Sequence, residues 1–219
     1  MWDKLLTLAT TVAVIEVSAF LGSTQARWQH VGWKTWPLDG PGGDPAARNL
    51  AWRHLWRALD ALHAVGYRRQ AQRLLYLCYS GKVHVAPEME GDLAACVLNG
   101  GLSLVADHGR IYVSEVTMKG RYESASPLDR VARAKSWFYI ASVLLHELSH
   151  FDSGSTNEGP AYAAERDFLL ACARYWAAKT AGVERAAHLQ ALDELREELS
   201  IAVPRAGLPW EPLPPFRAD

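Results

Sequence analysis

Apolar positions along this chain recur mainly at helical spacing. In "PAARNLAWRHLWRALDALHAV", residues 45–65, Leu55, Leu59 and Leu62 form one stripe and Trp52 and Trp56 a neighbouring one. Asp44 precedes the run as a cap, Pro45 fits its first turn, and Gly66 ends it. A second helical run, "YRRQAQRLLYLCYS", leads to Gly81. The period then changes. "KVHVA" at Lys82–Ala86 alternates and stops at Pro87, while "LSLVA" at Leu102–Ala106 and "RIYVSEV" at Arg110–Val116 predict short strands around a turn at "DHG". Between them, "DLAACVL" at Asp92–Leu98 predicts a helix.

Helical periodicity returns after a polar loop. Ser126-Pro127-Leu128-Asp129 predicts a helix start, with Ser126 as N-cap and Asp129 completing a capping box. This helix continues through "RVARAKSWFYIASVLLHELSHF" to Gly154, a candidate C-cap. Another begins near Asn157–Pro160 and reaches about Thr180, and a last one covers Val183–Ala202. The expected fold class is α+β and mainly helical, with a small sheet just before the long helix. The domain is expected over residues 27–203, followed by a proline-rich tail at 204–219. That tail has polyproline II character, which suits a recognition segment, although such tails more often lie against their own domain or remain mobile.

A chain of 219 residues without internal repeats suits one domain, and 49% apolar composition is enough for a core without disulfide staples. The formal net charge of −1 offers no basic footprint for nucleic acid. Cys78, Cys96 and Cys172 make no CxxC pair, so buried free thiols are expected over a Cys78–Cys96 bridge. Residues 1–26 have two readings. "LLTLATTVAVI" at Leu5–Ile15 has the length of a signal-peptide core, with "VSA" or "TQA" as cleavage sites, while Asp3 and Glu16 suit a first buried element of the domain. The run is shorter than the roughly 20 apolar residues of a membrane span. An exported location is slightly favoured over a cytoplasmic one. "RWQHVGWKTW" interleaves cations with aromatics, and a packed loop is expected there rather than a membrane or partner contact.

The candidate chemistry lies in "VLLHELSHFDSGSTNEGPAYAAE", residues 143–165. His146 and His150 stand four apart, so on a helix both imidazoles share one face and can reach one tetrahedral zinc ion. Glu147, one residue after the first histidine, is the candidate general base for a zinc-activated water. Leu145 and Leu148 fit the opposite, core-facing side. Random placement of this chain's histidines and glutamates would give the HExxH pattern in roughly 2% of such sequences, and its place on a capped, periodic helix makes accident rarer still. Two acids can complete the site. Glu158 falls at a helix start eight residues after His150, and Glu165 lies two turns further on the same face. Glu158 is preferred as the third ligand and Glu165 as the partner of a ligand histidine. His84, His108 and His188 have no partner at ligand spacing and are expected at the surface or in caps.

These motifs resemble those of zinc metallopeptidases. "HELSHF" followed by Gly154-Ser155-Thr156-Asn157-Glu158 and Tyr162 resembles the aspzincins, the deuterolysin and peptidyl-Lys metalloendopeptidase group. Glutamate stands here for their aspartate, and the tyrosine is one residue further from the acid. "NEGPAYAAE" is also similar to the segment that carries the third ligand in the aminopeptidase branch of the gluzincins, with a much shorter spacer here. The resemblance spans about residues 136–166. It implies a zincin-like fold and one Zn2+ per chain, held by His146, His150 and Glu158. It further implies that Tyr162 stabilises an oxyanion and that an edge strand before the HExxH helix binds extended substrate. Tyr112, Val113 and Ser114 are the strand residues expected in that role. The function expected is a zinc-dependent endopeptidase, monomeric, acting on a protein or peptide substrate, with no nucleic-acid partner and no membrane contact expected beyond a signal peptide at 1–26. The alternatives are a non-enzymatic zinc-stabilised interaction module and a zinc amidohydrolase acting on a non-protein amide.

Overall fold

The computed structural model describes residues 35–40, 42–87, 89, 95–98, 109–122, 128–155 and 157–216, with 95–98 described as backbone. The expected leader at 1–26, the Trp-rich loop before residue 35, the strand at 102–106, His108 and Ser126 lie outside these residues. The described chain is mainly helical with one small sheet. In order it runs β1 (Trp36–Pro37), α1 (Pro45–Ala64), α2 (Arg68–Tyr79), β2 (Val83–Ala86), β3 (Ala95–Leu98), β4 (Arg110–Ser114), α3 (Glu115–Met118), α4 (Arg130–Ser153), α5 (Glu158–Lys179) and α6 (Gly182–Arg205).

Local chemistry sets the helix ends. Ala47 N donates to Asp44 Oδ2 at 2.9 Å, which caps α1 just before Pro45. Gly66, with φ of 98°, reverses the chain into α2. The α4 cap differs from the expected one. Asp129 itself takes the role, accepting from Ala132 N at 2.9 Å, because its short carboxylate reaches the third amide of the helix directly. At the other end of α4, Gly154 takes the left-handed conformation (φ 64°) and donates to His150 O. α6 continues past Ala202 to Arg205 with Pro204 in its last turn.

The long helix α4 is the centre of the molecule. It lies against α1, α5 and α6 and also touches β3 and β4. Being covered on several sides, it buries residues all around its circumference, from Phe138 and Ile140 through Leu144 and Leu148. Leu144 is fully buried. Leu144→Ala is therefore expected to lower the unfolding free energy by about 2–5 kcal/mol, measured by chemical denaturation.

The sheet has the order β1-β2-β4-β3. β2 runs parallel to β4, while β1 and β3 are antiparallel to their neighbours. Val83, Val85, Ile111 and Val113 point into the main core, and Ala86 and Tyr112 pack on the opposite face. Two expectations are corrected here. The segment expected as helix at 92–98 contains a strand, because Ala95–Leu98 pairs residue by residue with β4 and this pairing overrides its helical preference. β4 was expected as an edge strand, yet β2 and β3 flank it, so its backbone groups are taken up within the sheet. Among the described strands the outer ones are β1 and β3.

The tail lies on its own domain. Leu213 is buried, and Leu208, Trp210 and Phe216 pack against the core. Phe216 N donates to Asp193 Oδ1 of α6, and Arg196 reaches the Leu213 carbonyl. Arg166 of α5 pairs with Glu211. No described helix is long and apolar enough to cross a membrane.

Candidate metal centre

The site forms where α4 ends and α5 begins. The left-handed Gly154 lets the chain turn within four residues, and Asn157 caps α5 by accepting from Gly159 N at 3.0 Å. Glu158 thus becomes the first residue of α5 and faces the last turns of α4. His146 and His150, one turn apart on α4, bring their Nε2 atoms to 3.1 Å of each other. Glu158 Oε2 lies 3.0 Å from His146 Nε2 and 3.4 Å from His150 Nε2. His146, His150 and Glu158 can hold a metal ion, each offering one ligand atom within 4.8 Å of the others. The histidine side chains are close to buried, whereas the Glu158 side chain is 44% exposed, so the group opens to solvent on the glutamate side.

Partners behind the rings fix their orientation. His150 Nδ1 lies 2.8 Å from the Ser155 carbonyl, which only accepts, so this nitrogen carries the hydrogen and Nε2 keeps its lone pair. His146 Nδ1 lies 2.7 Å from Glu165 Oε1, and Ser142 Oγ donates to Glu165 Oε2 at 2.5 Å. Glu165 therefore sits on the far side of His146 from Glu158. Ser142 and Ser155 were not singled out from sequence. The four-residue step from Ser142 to His146 places both on one helix face and was the available signal. Ser155 acts through its backbone, which residue identity does not reveal.

The electrostatics favour a cation at this point. Burial disfavours the charged form of His146. The hydrogen bond that His146 donates to Glu165 and the negative charges of Glu165, Glu147 and Glu158 outweigh that penalty and raise its pKa above the ordinary histidine value. A field that favours a proton on Nε2 favours any cation there. Tyr162, one turn into α5, packs its ring edge-on to His146 at 4.9 Å. Burial and the charges of Glu165, Glu158 and Glu147 push its hydroxyl up to about 12. Glu147 is only 6% exposed and lies close enough to act on both His146 and Tyr162.

The strand residues expected to bind substrate lie elsewhere. Tyr112 and Val113 are buried within the sheet, and Tyr112 packs against His84. Ser114 caps α3, accepting from Thr117 N and donating to Thr117 Oγ1. Its side chain is committed locally, so the expected edge-strand role does not hold for these three residues.

Of the other histidines, His84 Nε2 bonds the Gly81 carbonyl at 3.1 Å. His188 was expected at the surface or in a cap but is buried. Its ring stacks on Trp176 at 4.5 Å, and its Nδ1 donates to Glu184 O. Cys78 and Cys172 are free and buried, so the Cys78–Cys96 bridge is not formed. Burial, with a smaller effect of the Asp39 charge, pushes the Cys78 thiol up to about 12 and leaves it unreactive.

Comparison with protein-family models, with curated proteins and with solved structures finds no match to this chain.

Proposed function

We propose that this protein is a zinc-dependent endopeptidase with a zincin-like arrangement, its metal held by His146, His150 and Glu158. One observation carries the reading. Two imidazole Nε2 atoms and a carboxylate oxygen converge within 3.0–3.4 Å of one another, while both Nδ1 atoms are engaged by acceptors behind them. Three lone-pair donors pressed together repel unless a proton or a metal cation lies among them, and a metal ion satisfies all three at once. The spacing suits zinc. Tetrahedral bonds of about 2.0–2.1 Å set ligand atoms about 3.3–3.4 Å apart, close to the separations here. The set contains three protein donors among the described residues, as in catalytic zinc sites, where structural ones usually have four. This favours an enzyme over a zinc-stabilised interaction module.

A bound zinc ion supplies Lewis acidity, making water acidic near neutral pH and polarising a carbonyl. The chain's own residues do the rest. Glu147, beside the ligand face and screened from bulk water, takes the proton of the attacking water on its carboxylate and passes it to the leaving amine nitrogen. Tyr162 keeps its proton at neutral pH and donates a hydrogen bond to the oxygen that gains negative charge. Glu165 holds His146 in the tautomer that leaves Nε2 bare, and the Ser155 carbonyl does the same for His150. β3, outermost with β1 among the described strands and lying against α4, replaces β4 as the surface on which an extended peptide would pair.

The test combines metal analysis of the purified chain with digestion of an unbiased peptide library. About one zinc per chain and internal cleavage of peptides are expected. A folded protein that takes up no zinc and cuts nothing defeats the proposal. One that binds zinc and hydrolyses only non-peptide amides would make it an amidohydrolase instead.

A further inference from the structure

The outer face of the α1–α2 hairpin differs from the rest of the molecule in charge. Residues 45–82 contain six arginines and one lysine against a single acid, Asp60. That is a formal +6 in a chain whose net charge is −1, so the remainder carries −7. Arg53, Arg57, Arg68, Arg69 and Arg73 are all exposed. The sequence-wide balance concealed this separation, because the two halves nearly cancel.

The same face exposes aromatic side chains. Trp56, Tyr76 and Tyr79 are 44%, 62% and 57% exposed. Trp56 and Tyr79 are connected through Trp52, whose ring lies 6.2 Å from Trp56 and 5.5 Å from Tyr79. Tyr76 is one turn before Tyr79 on α2. Trp52 itself is anchored, its indole donating to the Leu38 carbonyl at 3.1 Å. The aromatic row is thus held on a rigid base, with arginines on both helices beside it. Arg73 ties the face to the site helix, packing over Tyr76 and Phe151 and pairing with Asp152.

We propose that this face docks the protein on an anionic lipid surface. Tryptophan and tyrosine, each an apolar body with a polar tip, are stable at the level of lipid headgroups. Arginine stems can lie along that apolar layer while their guanidinium groups reach phosphates. Attraction to an anionic leaflet grows with each basic residue near it. The rest of the chain carries the opposite formal charge, which favours an orientation with this hairpin toward the membrane. Docking is peripheral, since no described helix is long and apolar enough to span a bilayer. Single-stranded nucleic acid is the less favoured partner. It is bound by aromatics whose faces lie open to bases along a groove, whereas Trp52, Trp56 and Tyr79 pack on one another on the outside of two helices.

The test is co-sedimentation of the full chain with vesicles of phosphatidylcholine alone or of phosphatidylcholine with phosphatidylglycerol. Binding is expected to the anionic vesicles, weakening as salt is raised. The double variant Arg53→Gln/Arg69→Gln should bind them about 30-fold more weakly. Trp56→Ser/Tyr76→Ser should bind more weakly at every salt concentration. All four positions are exposed, so unchanged thermal melting is expected and is measured alongside. If a variant melts early, the comparison of neutral with anionic vesicles for the parent chain still decides. The proposal is overturned if the parent ignores anionic vesicles or binds both kinds equally. It is overturned too if these substitutions leave vesicle binding unchanged, if they instead dissolve a dimer, or if the face binds a single-stranded oligonucleotide in preference to lipid.

Discussion

Glu147→Gln is expected to keep about one zinc per chain and a normal fold while losing peptide cleavage by at least ~10²-fold, the usual cost of removing a general base. The helix supplies the reason. His146 and His150 define one face of α4, and a residue next to His146 points about 100° away around the axis. Glu147 is therefore near the group that could hold a metal ion without belonging to it. Its carboxylate is nearly buried, and its charge reaches both His146 and Tyr162. Glutamine keeps the side chain's volume and much of its hydrogen bonding but cannot accept the proton. Removing one negative charge beside His146 should weaken metal binding slightly, so zinc content is measured with excess metal present. His146→Ala, by contrast, should lose both metal and activity. If Glu147→Gln cleaves as well as the parent, the peptidase reading fails and a structural role for the metal group takes its place.

The helical part of the fold was readable because its signals are local. Asp44 with Pro45, Gly66 and Gly154 mark helix ends through side-chain reach and left-handed backbone, and neither depends on distant residues. The sheet was harder. β3 contains Ala95 and Cys96 and shows no alternation, so nothing short-range distinguishes it from a helix. Only its pairing with β4 makes it a strand. The central place of β4 likewise comes from a parallel partner, β2, more than twenty residues earlier. The same division applies to the candidate site. His146, His150 and Glu158 were visible as a spacing on one helix and the start of the next. The Ser155 carbonyl behind His150 is a backbone contact that no side-chain pattern encodes. His188 looked like a surface residue because its stacking partner, Trp176, belongs to the preceding helix.

Glu158 and Glu165 are expected to separate cleanly when each is replaced. Both lie beside His146, but on opposite nitrogens. Glu158 Oε2 faces Nε2 of both histidines, whereas Glu165 accepts at Nδ1 of His146 and from Ser142. Glu158→Ala removes one of three donors and should lower zinc affinity by more than the 10–100-fold typical of a lost outer partner. Its half-exposed side chain can be removed with little effect on folding. Glu165→Ala should fall within that 10–100-fold range, because the donor atoms remain and only the orientation and basicity of His146 change. It carries a cost that Glu158→Ala does not. The Ser142 hydroxyl and His146 Nδ1 lose their acceptor in a largely buried place, which should destabilise the fold by about 1–3 kcal/mol. Glu165→Gln should recover most of that stability, since its amide oxygen can still accept from Nδ1, while recovering little of the zinc affinity. Competition titrations with a chelator and denaturation curves for the three variants give both quantities. Zinc lost in Glu165→Ala but retained in Glu158→Ala would reverse the assignment and make Glu165 the ligand.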